Sequence, residues 1–337
     1  MDRNQTQDGM TLRSRVTVEP RSAVRSCYLA ARLLLFVLSM LLLAWQTPVL
    51  ARDTERSVVY LAGSGNAALD QYVAKLLEQH LGPTQTLRPI SGDQASLLEN
   101  EPVVTIGPSA FSRVRQANRS APILALLVEK DFLDGFSSRS SGQISGIYYD
   151  VPLLRQALTG KAILPHATQI ALLATVETAD LYEPLIDQLS RYDLSARLFV
   201  VEGDDQLIPT LIRALSYGDF LLAAPDSKIY NPRTIKHILL TAYRRNKIVI
   251  GPSQAYVKAG SLASSYAPFP VMADIAADYL KTYQTTGRFP APAYPPTFRV
   301  EINEQVARSL NIPLPDRDDI TEYVDTQINN PGRADDE

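Results

Sequence analysis

A chain of 337 residues, 45% hydrophobic and 20% charged, has the composition of an ordinary globular protein of one or two domains. The single cysteine, Cys27, lies within the N-terminal 51 residues, so the rest of the chain has no thiol for a disulfide, a nucleophile or a metal site. The formal net charge is −3; without residues 1–51 there remain 27 basic against 33 acidic residues, a balance of −6 that excludes nucleic acid as a partner.

Arginines at 3, 13, 15, 21, 25 and 32 precede the apolar run Leu33 to Trp45, and Val49-Leu50-Ala51 then offers small residues around a cleavage point after Ala51. This is the pattern of a signal peptide over residues 1–51, and it predicts export to the periplasm. The run is shorter than the roughly 20 residues that a membrane span requires. A retained anchor, or a start at Met10, fits the long basic region equally well.

Beyond it, strand-like apolar runs alternate with helical patterns. Val58 to Leu61, Gln85 to Ile90, Val103 to Ile106 and Ile123 to Val128 form one group of strands. Gln169 to Thr175, Ala196 to Val201, Phe220 to Ala223 and Lys247 to Ile250 form a second. Such alternation predicts an α/β protein with two parallel sheets flanked by helices. Leu69, Val73, Leu76 and Leu77 carry the helical period in one intervening segment, as do Leu207, Leu211, Ile212 and Leu215 in another. Asn66, Ser109, Thr178, Asp204 and Asn231 stand where helix N-caps are expected, with Pro232 at a first helical position. The polar stretch Ser137 to Gly142 separates the two groups and places a lobe boundary near Gly146 to Tyr149. Residues 316–337 are charged and aperiodic and are expected to form a flexible tail.

Ligands of open parallel sheets sit beyond the carboxyl ends of the strands, so the residues there are the candidate site. Gly63-Ser64-Gly65-Asn66-Ala67-Ala68 after the first strand fits a dinucleotide fingerprint in form, but the second strand ends Arg88-Pro89-Ile90, with no acid to take a ribose. Ser64 and Asn66 then belong either to a helix N-terminus open to a ligand carboxylate or to a structural turn. Gly107-Pro108-Ser109 and Gly251-Pro252-Ser253 each put a hydroxyl at a strand's carboxyl end, as ligand contact or as cap. Asp226, after Phe220 to Ala223, pairs a ligand ammonium group or caps its own loop. Tyr148, Tyr149, Tyr230 and Tyr256 flank the same region with flat faces and hydroxyls. Catalytic and phosphate-binding motifs are absent, and His80, His166 and His237 have no partner at metal spacing. No enzyme activity, cofactor or metal is expected.

From Lys247 onward the chain reads KIVIGPSQAYVKAGSLA, and Ala259-Gly260-Ser261-Leu262-Ala263-Ser264, Met272 to Tyr283, Phe289 to Pro296 and Phe298 to Pro313 come in order. This succession resembles the last third of the periplasmic substrate-binding proteins of the ABC-transporter family whose known members bind aromatic amino acids. The resemblance implies a two-lobed type I periplasmic binding protein whose lobes are joined by a three-strand hinge. Residues 57–145 with 254–293 would form one lobe, and 146–253 with 294–315 the other. It implies a monomer that captures an amino-acid-like or related organic ligand and hands it to an ABC permease in the inner membrane. A sensor or accessory module serving a membrane receptor or kinase shares the same pattern.

Two departures from that family bear on the ligand. Ser227 stands where members carry asparagine after the aspartate, and Val176-Glu177-Thr178 stands where they more often carry Tyr-Asn-Pro. Glu177 points to a different ligand, one bearing a cation. The expected contacts are therefore Ser64, Asn66, Ser109, Glu177, Thr178, Asp226, Ser227, Ser253 and Tyr256.

Overall fold

The computed structural model describes residues 57–224 and 226–330. The signal-peptide and cleavage expectations for 1–51 lie outside these residues.

The first sheet has the order β2-β1-β3-β4-β5 and is parallel throughout. Its strands are β1 (Ser57–Ala62), β2 (Gln85–Ile90), β3 (Val103–Ile106), β4 (Ile123–Val128) and β5 (Ile144–Tyr148). Central β3 is buried on both faces, and its side chains alternate between two cores: Val104 and Ile106 point to one, Val103 to the other. Edge strand β2 carries Pro89 opposite Leu61, at a position where a missing N–H breaks no central ladder. On one face lie α1 (Ala67–His80), through Val73 and Leu77, and α9 (Phe269–Thr286), through Met272, Ala276 and Leu280. The other face is covered by α2 (Gly107–Ala117) and α3 (Lys130–Ser137), where Phe111, Phe132 and Phe136 form an aromatic cluster.

The second sheet has the order β11-β10-β9-β8-β6-β7. It comprises β6 (Gln169–Ala174), β7 (Ser195–Val200), β8 (Phe220–Leu222), β9 (Ile248–Ile250), β10 (Ala263–Tyr266) and β11 (Arg299–Ile302), and only the β10–β11 pair is antiparallel. One face is packed by α6 (Leu207–Tyr217) and α7 (Ile235–Arg244). The other is packed by α4 (Leu153–Ile163), α5 (Glu183–Leu189) and α11 (Arg317–Asn329). The short helices α8 (Gln254–Ala259) and α10 (Glu304–Ser309) come after β9 and β11.

The eight expected strands are present, as is a helix spanning Met272 to Tyr283. Three expectations are corrected. Residues 254–266 belong with the second sheet and not the first, because β10 pairs with β9 and β11; the chain crosses only after Tyr266, where Ala267 already packs in the first core. β5 extends the first sheet across the expected boundary. Gly146 interrupts its apolar run because a Cβ there would come within 2.7 Å of the Ala125 carbonyl oxygen. Residues 317–329 form a helix rather than a flexible tail, since Ile320 and Val324 are buried against the second core, with Tyr323 and Ile328 packed beside them.

Three segments link the sheets. One is Tyr149–Pro152, and the second is Ala267–Pro268. The third is the Pro-rich return after α9, which runs beside β5: Phe289 N–H donates to the Gly142 carbonyl (2.8 Å), Ala293 N–H to Gly146 (3.2 Å) and Tyr148 N–H to Ala293 (3.0 Å).

Candidate functional site

The carboxyl ends of β4, β5, β8 and β9 converge on a cavity of about 130 Å³, and the hinge segment Tyr149–Leu153 forms one side of it. Glu129 and Tyr149 come from the first sheet's strand ends, and Ser227, Tyr230, Ser253 and Tyr256 from the second's. Gly251 lets α8 turn close behind β9, because a Cβ there would lie 2.7 Å from the Tyr256 Cβ. Tyr256 is fixed by its hydroxyl, which donates to the Tyr230 carbonyl at 2.7 Å. Ser253 occupies the N-cap position of α8, yet its side chain makes no capping hydrogen bond. An adjoining cavity of about 500 Å³ shares Asp150, Val151 and Leu153 and adds Asp131, Thr178, Tyr182 and Tyr294. A third, of about 640 Å³, lies near Glu304, Arg308 and Arg317, away from every parallel strand's carboxyl end, and is not a candidate on that geometry.

The nine expected contacts divide. Ser227, Ser253 and Tyr256 line the smaller cavity, and Thr178 lines the larger. Ser64 and Asn66 line neither, and the anion-binding role expected of their loop is filled from within. The Asp70 carboxylate accepts from Ser64 N–H (2.8 Å), Ser64 Oγ (2.7 Å) and Gly65 N–H (3.2 Å), while Asn66 caps α1 by accepting from Leu69 N–H (3.3 Å). Ser109 sits exposed in the first turn of α2, which starts at Gly107, and is neither its N-cap nor a cavity residue.

Asp226 is 3% exposed and saturated. Its oxygens accept from Thr175 N–H (3.2 Å), Thr175 Oγ1 (3.3 Å), the Thr178 hydroxyl, Lys228 N–H (2.9 Å) and Ile229 N–H (3.3 Å). Burial alone would raise its pKa, but the Thr178 hydroxyl and the three backbone donors outweigh burial and hold it below its ordinary value. Of its two readings the loop cap prevails, because no acceptor is left facing a ligand ammonium. Glu177 lines neither cavity. Its exposed carboxylate meets Lys228 Nζ at 2.9 Å, and that contact lowers its pKa.

The unspent acids are on the other side. Glu129 comes directly after β4 and is exposed, and no hydrogen bond is made by its carboxylate among the described residues; partial desolvation beside the cleft raises its pKa, with further upward pushes from Asp150 and Asp131. Asp150 accepts from Tyr294 Oη (3.0 Å) and Lys130 N–H (3.0 Å), and burial still raises it. Tyr149, 38% exposed, stacks on Phe269 with ring centroids 6.3 Å apart. The rule that singles out Ser109 and Ser253, a polar residue just past the end of a parallel strand, also reaches Glu129 after Val128 and Asp150 just past β5. The apolar run of β4 is the stronger signal in the sequence and masks the acid beyond it, while β5, interrupted at Ser145 and Gly146, does not read as a strand from whose end Asp150 could be placed.

No protein-family model and no curated protein matches the chain. Solved structures do. A ligand-free, open substrate-binding protein with adhesive properties from Clostridium difficile aligns at a TM-score of 0.64 and 15% identity, over 79% of this chain and 98% of that one. A Streptococcus domain in complex with L-Trp aligns at 0.54 and 15%, over 77% and 95%. A conserved domain protein from Vibrio cholerae aligns at 0.54 and 16%, over 77% and 96%. At these identities the likeness concerns the fold. With one all-parallel and one mostly parallel sheet, each flanked by helices, the chain has the type I periplasmic binding protein fold.

Proposed function

We propose that the protein is a periplasmic solute-binding protein that captures a small organic molecule between its two lobes and delivers it to an ABC permease. The observation that carries this reading is the pair of adjoining cavities at the carboxyl ends of both sheets, against a hinge of three connections. A molecule touching Ser227, Ser253 and Tyr256 on one side and Tyr149 on the other makes contacts to both lobes that only a closed arrangement satisfies together. Its binding energy then drives closure. The structural neighbours support the reading, since two are described as a substrate-binding protein and an L-Trp complex of an ABC domain. Export, the permease and a monomeric state belong to the same reading. Among the described residues no helix is long and apolar enough to cross a membrane.

Thermal shift against a metabolite library identifies ligands, and small-angle scattering with and without the best of them tests closure. A smaller radius of gyration at saturation is expected. An unchanged radius, with no compound raising the melting temperature, rejects the reading.

A further inference from the structure

Resting on that solute-binding reading, we propose that the cleft takes an organic cation, an amine, guanidinium or quaternary ammonium on an apolar body, with Glu129 as counter-ion and Tyr149 and Tyr256 as walls.

The charge balance at the cavity is one-sided. Glu129 and Asp131 follow β4 and Asp150 follows β5, and the fold brings them close enough for Asp150 and Asp131 to act on Glu129. The nearby cations are engaged elsewhere. Lys130 Nζ pairs with Asp134 one turn along α3, and Lys228 pairs with Glu177. Glu129 is left with no donor, and Asp150 has two, fewer than the roughly four lone-pair sites that a carboxylate offers. Glu129 is itself exposed, and a donor-free carboxylate beside other acids at the wall of a cleft is stabilised when a cation comes to it.

A second observation is independent of the acids. Tyr230 lines the same cavity and is 4% exposed, yet its hydroxyl has no hydrogen-bond partner. Buried hydroxyls are normally paired, and one left without a partner on a residue of the cavity wall is a place that a polar group from outside the protein would complete after a small side-chain adjustment. The charged head has aromatic walls as well. Tyr149 is held by its stack on Phe269 and Tyr256 by its bond to the Tyr230 carbonyl, so both rings are in place before a ligand arrives. Aromatic faces beside a carboxylate are the surroundings in which an organic ammonium is held by charge and by the ring quadrupole together. A metal ion fits less well: among the described residues no three His, Cys, Asp or Glu side chains are grouped to hold one. The smaller cavity has room for a charged head and the adjoining one for the body.

The test is calorimetric titration of the full chain with tyramine, agmatine and choline. Each titration is set beside 3-(4-hydroxyphenyl)propionate, which keeps the tyramine ring but reverses the charge, and beside the zwitterion L-tryptophan and the neutral sugar D-ribose. At least one cation is expected to bind, the propionate to fail, and Glu129→Gln to weaken the cation roughly ten- to hundredfold. Glu129→Asp, which keeps the charge, should retain more affinity than Glu129→Gln, with a melting curve on each variant showing that both are folded. If the anion, L-tryptophan or D-ribose binds while all three cations fail, or if Glu129→Gln leaves cation affinity unaltered, the cation assignment is overturned and solute binding stands. If none of the six compounds binds, the cation assignment is overturned too, while the solute-binding reading is decided by the library screen and the scattering.

Discussion

Two carboxylates, each just past the carboxyl end of a parallel strand, differ in every respect that matters to function. Asp226, after β8, is buried under five donors and held below its ordinary pKa, whereas Glu129, after β4, has no donor and is held above its own. Position at a strand end is therefore an ambiguous signal for a ligand contact. What separates the two is whether the chain itself supplies the partners. The Asp70 loop falls with Asp226: its backbone N–H groups and hydroxyl, the right equipment for an anion, are spent on the helix's own aspartate.

The contrast predicts a graded series of substitutions. Asp226→Ala leaves Thr175, Thr178, Lys228 and Ile229 without their acceptor, and should cost about 2–4 kcal/mol, seen as a fall of roughly 5–15 °C in melting temperature. A fall near zero would return Asp226 to the list of ligand contacts. Because its folded pKa is lowered, this contribution is full above its ordinary value of 3.8 and is lost as pH falls through the folded value. Wild type and Asp226→Asn should therefore converge in stability on acidification. Asp70→Ala should cost less, about 1–2 kcal/mol, because its partners are part-exposed and water can replace it. Binding in the cleft should be unaffected, and a loss of affinity would reopen the Ser64 loop as a site.

Glu129→Gln should move stability the other way. A raised folded pKa means that ionised Glu129 opposes folding at neutral pH, a penalty that solvent screening at this exposed side chain keeps small and that is absent below its ordinary value of 4.5, where both states are protonated. The variant should melt at most about 2 °C above wild type at pH 7 and no higher than wild type near pH 4. A lower melting temperature at pH 7 would show that Glu129 has a structural partner after all. Glu177→Ala, which removes only an exposed pair with Lys228, should be indistinguishable from wild type in melting temperature and in ligand affinity.

The fold was largely legible because buried parallel strands such as β3, β4, β6, β8 and β9 are apolar runs, and the mixed edge strands β2 and β7 were placed by their alternation with helices. β5 is broken by Ser145 and Gly146, and β10 by Ser264 and Ser265, so neither reads as a core strand. α11 was hidden by its charged first turn, although Ile320, Tyr323, Val324 and Ile328 keep the helical period. The site was legible only in part. Residue type and position singled out Ser227, Ser253, Tyr256 and Thr178, which line the candidate cavities, but whether an acid is free or capped depends on residues as distant as Thr175 from Asp226, a separation that local pattern does not cross.

The serines of β10 point to one more consequence. The Gln156 amide accepts from Ser265 N–H (2.8 Å) and donates to the Ser265 carbonyl (2.8 Å), so a single buried side chain makes the pair of bonds that a neighbouring strand would otherwise make, just ahead of the crossover into α9. A strand lets go of its neighbour cooperatively, but one glutamine swings away alone. Deuterium uptake at the Ser265 amide should thus report a local opening at the hinge and outpace that of Val249 and Leu221 in the adjoining ladder. It also offers a clock for motion at the crossover that needs no ligand to run.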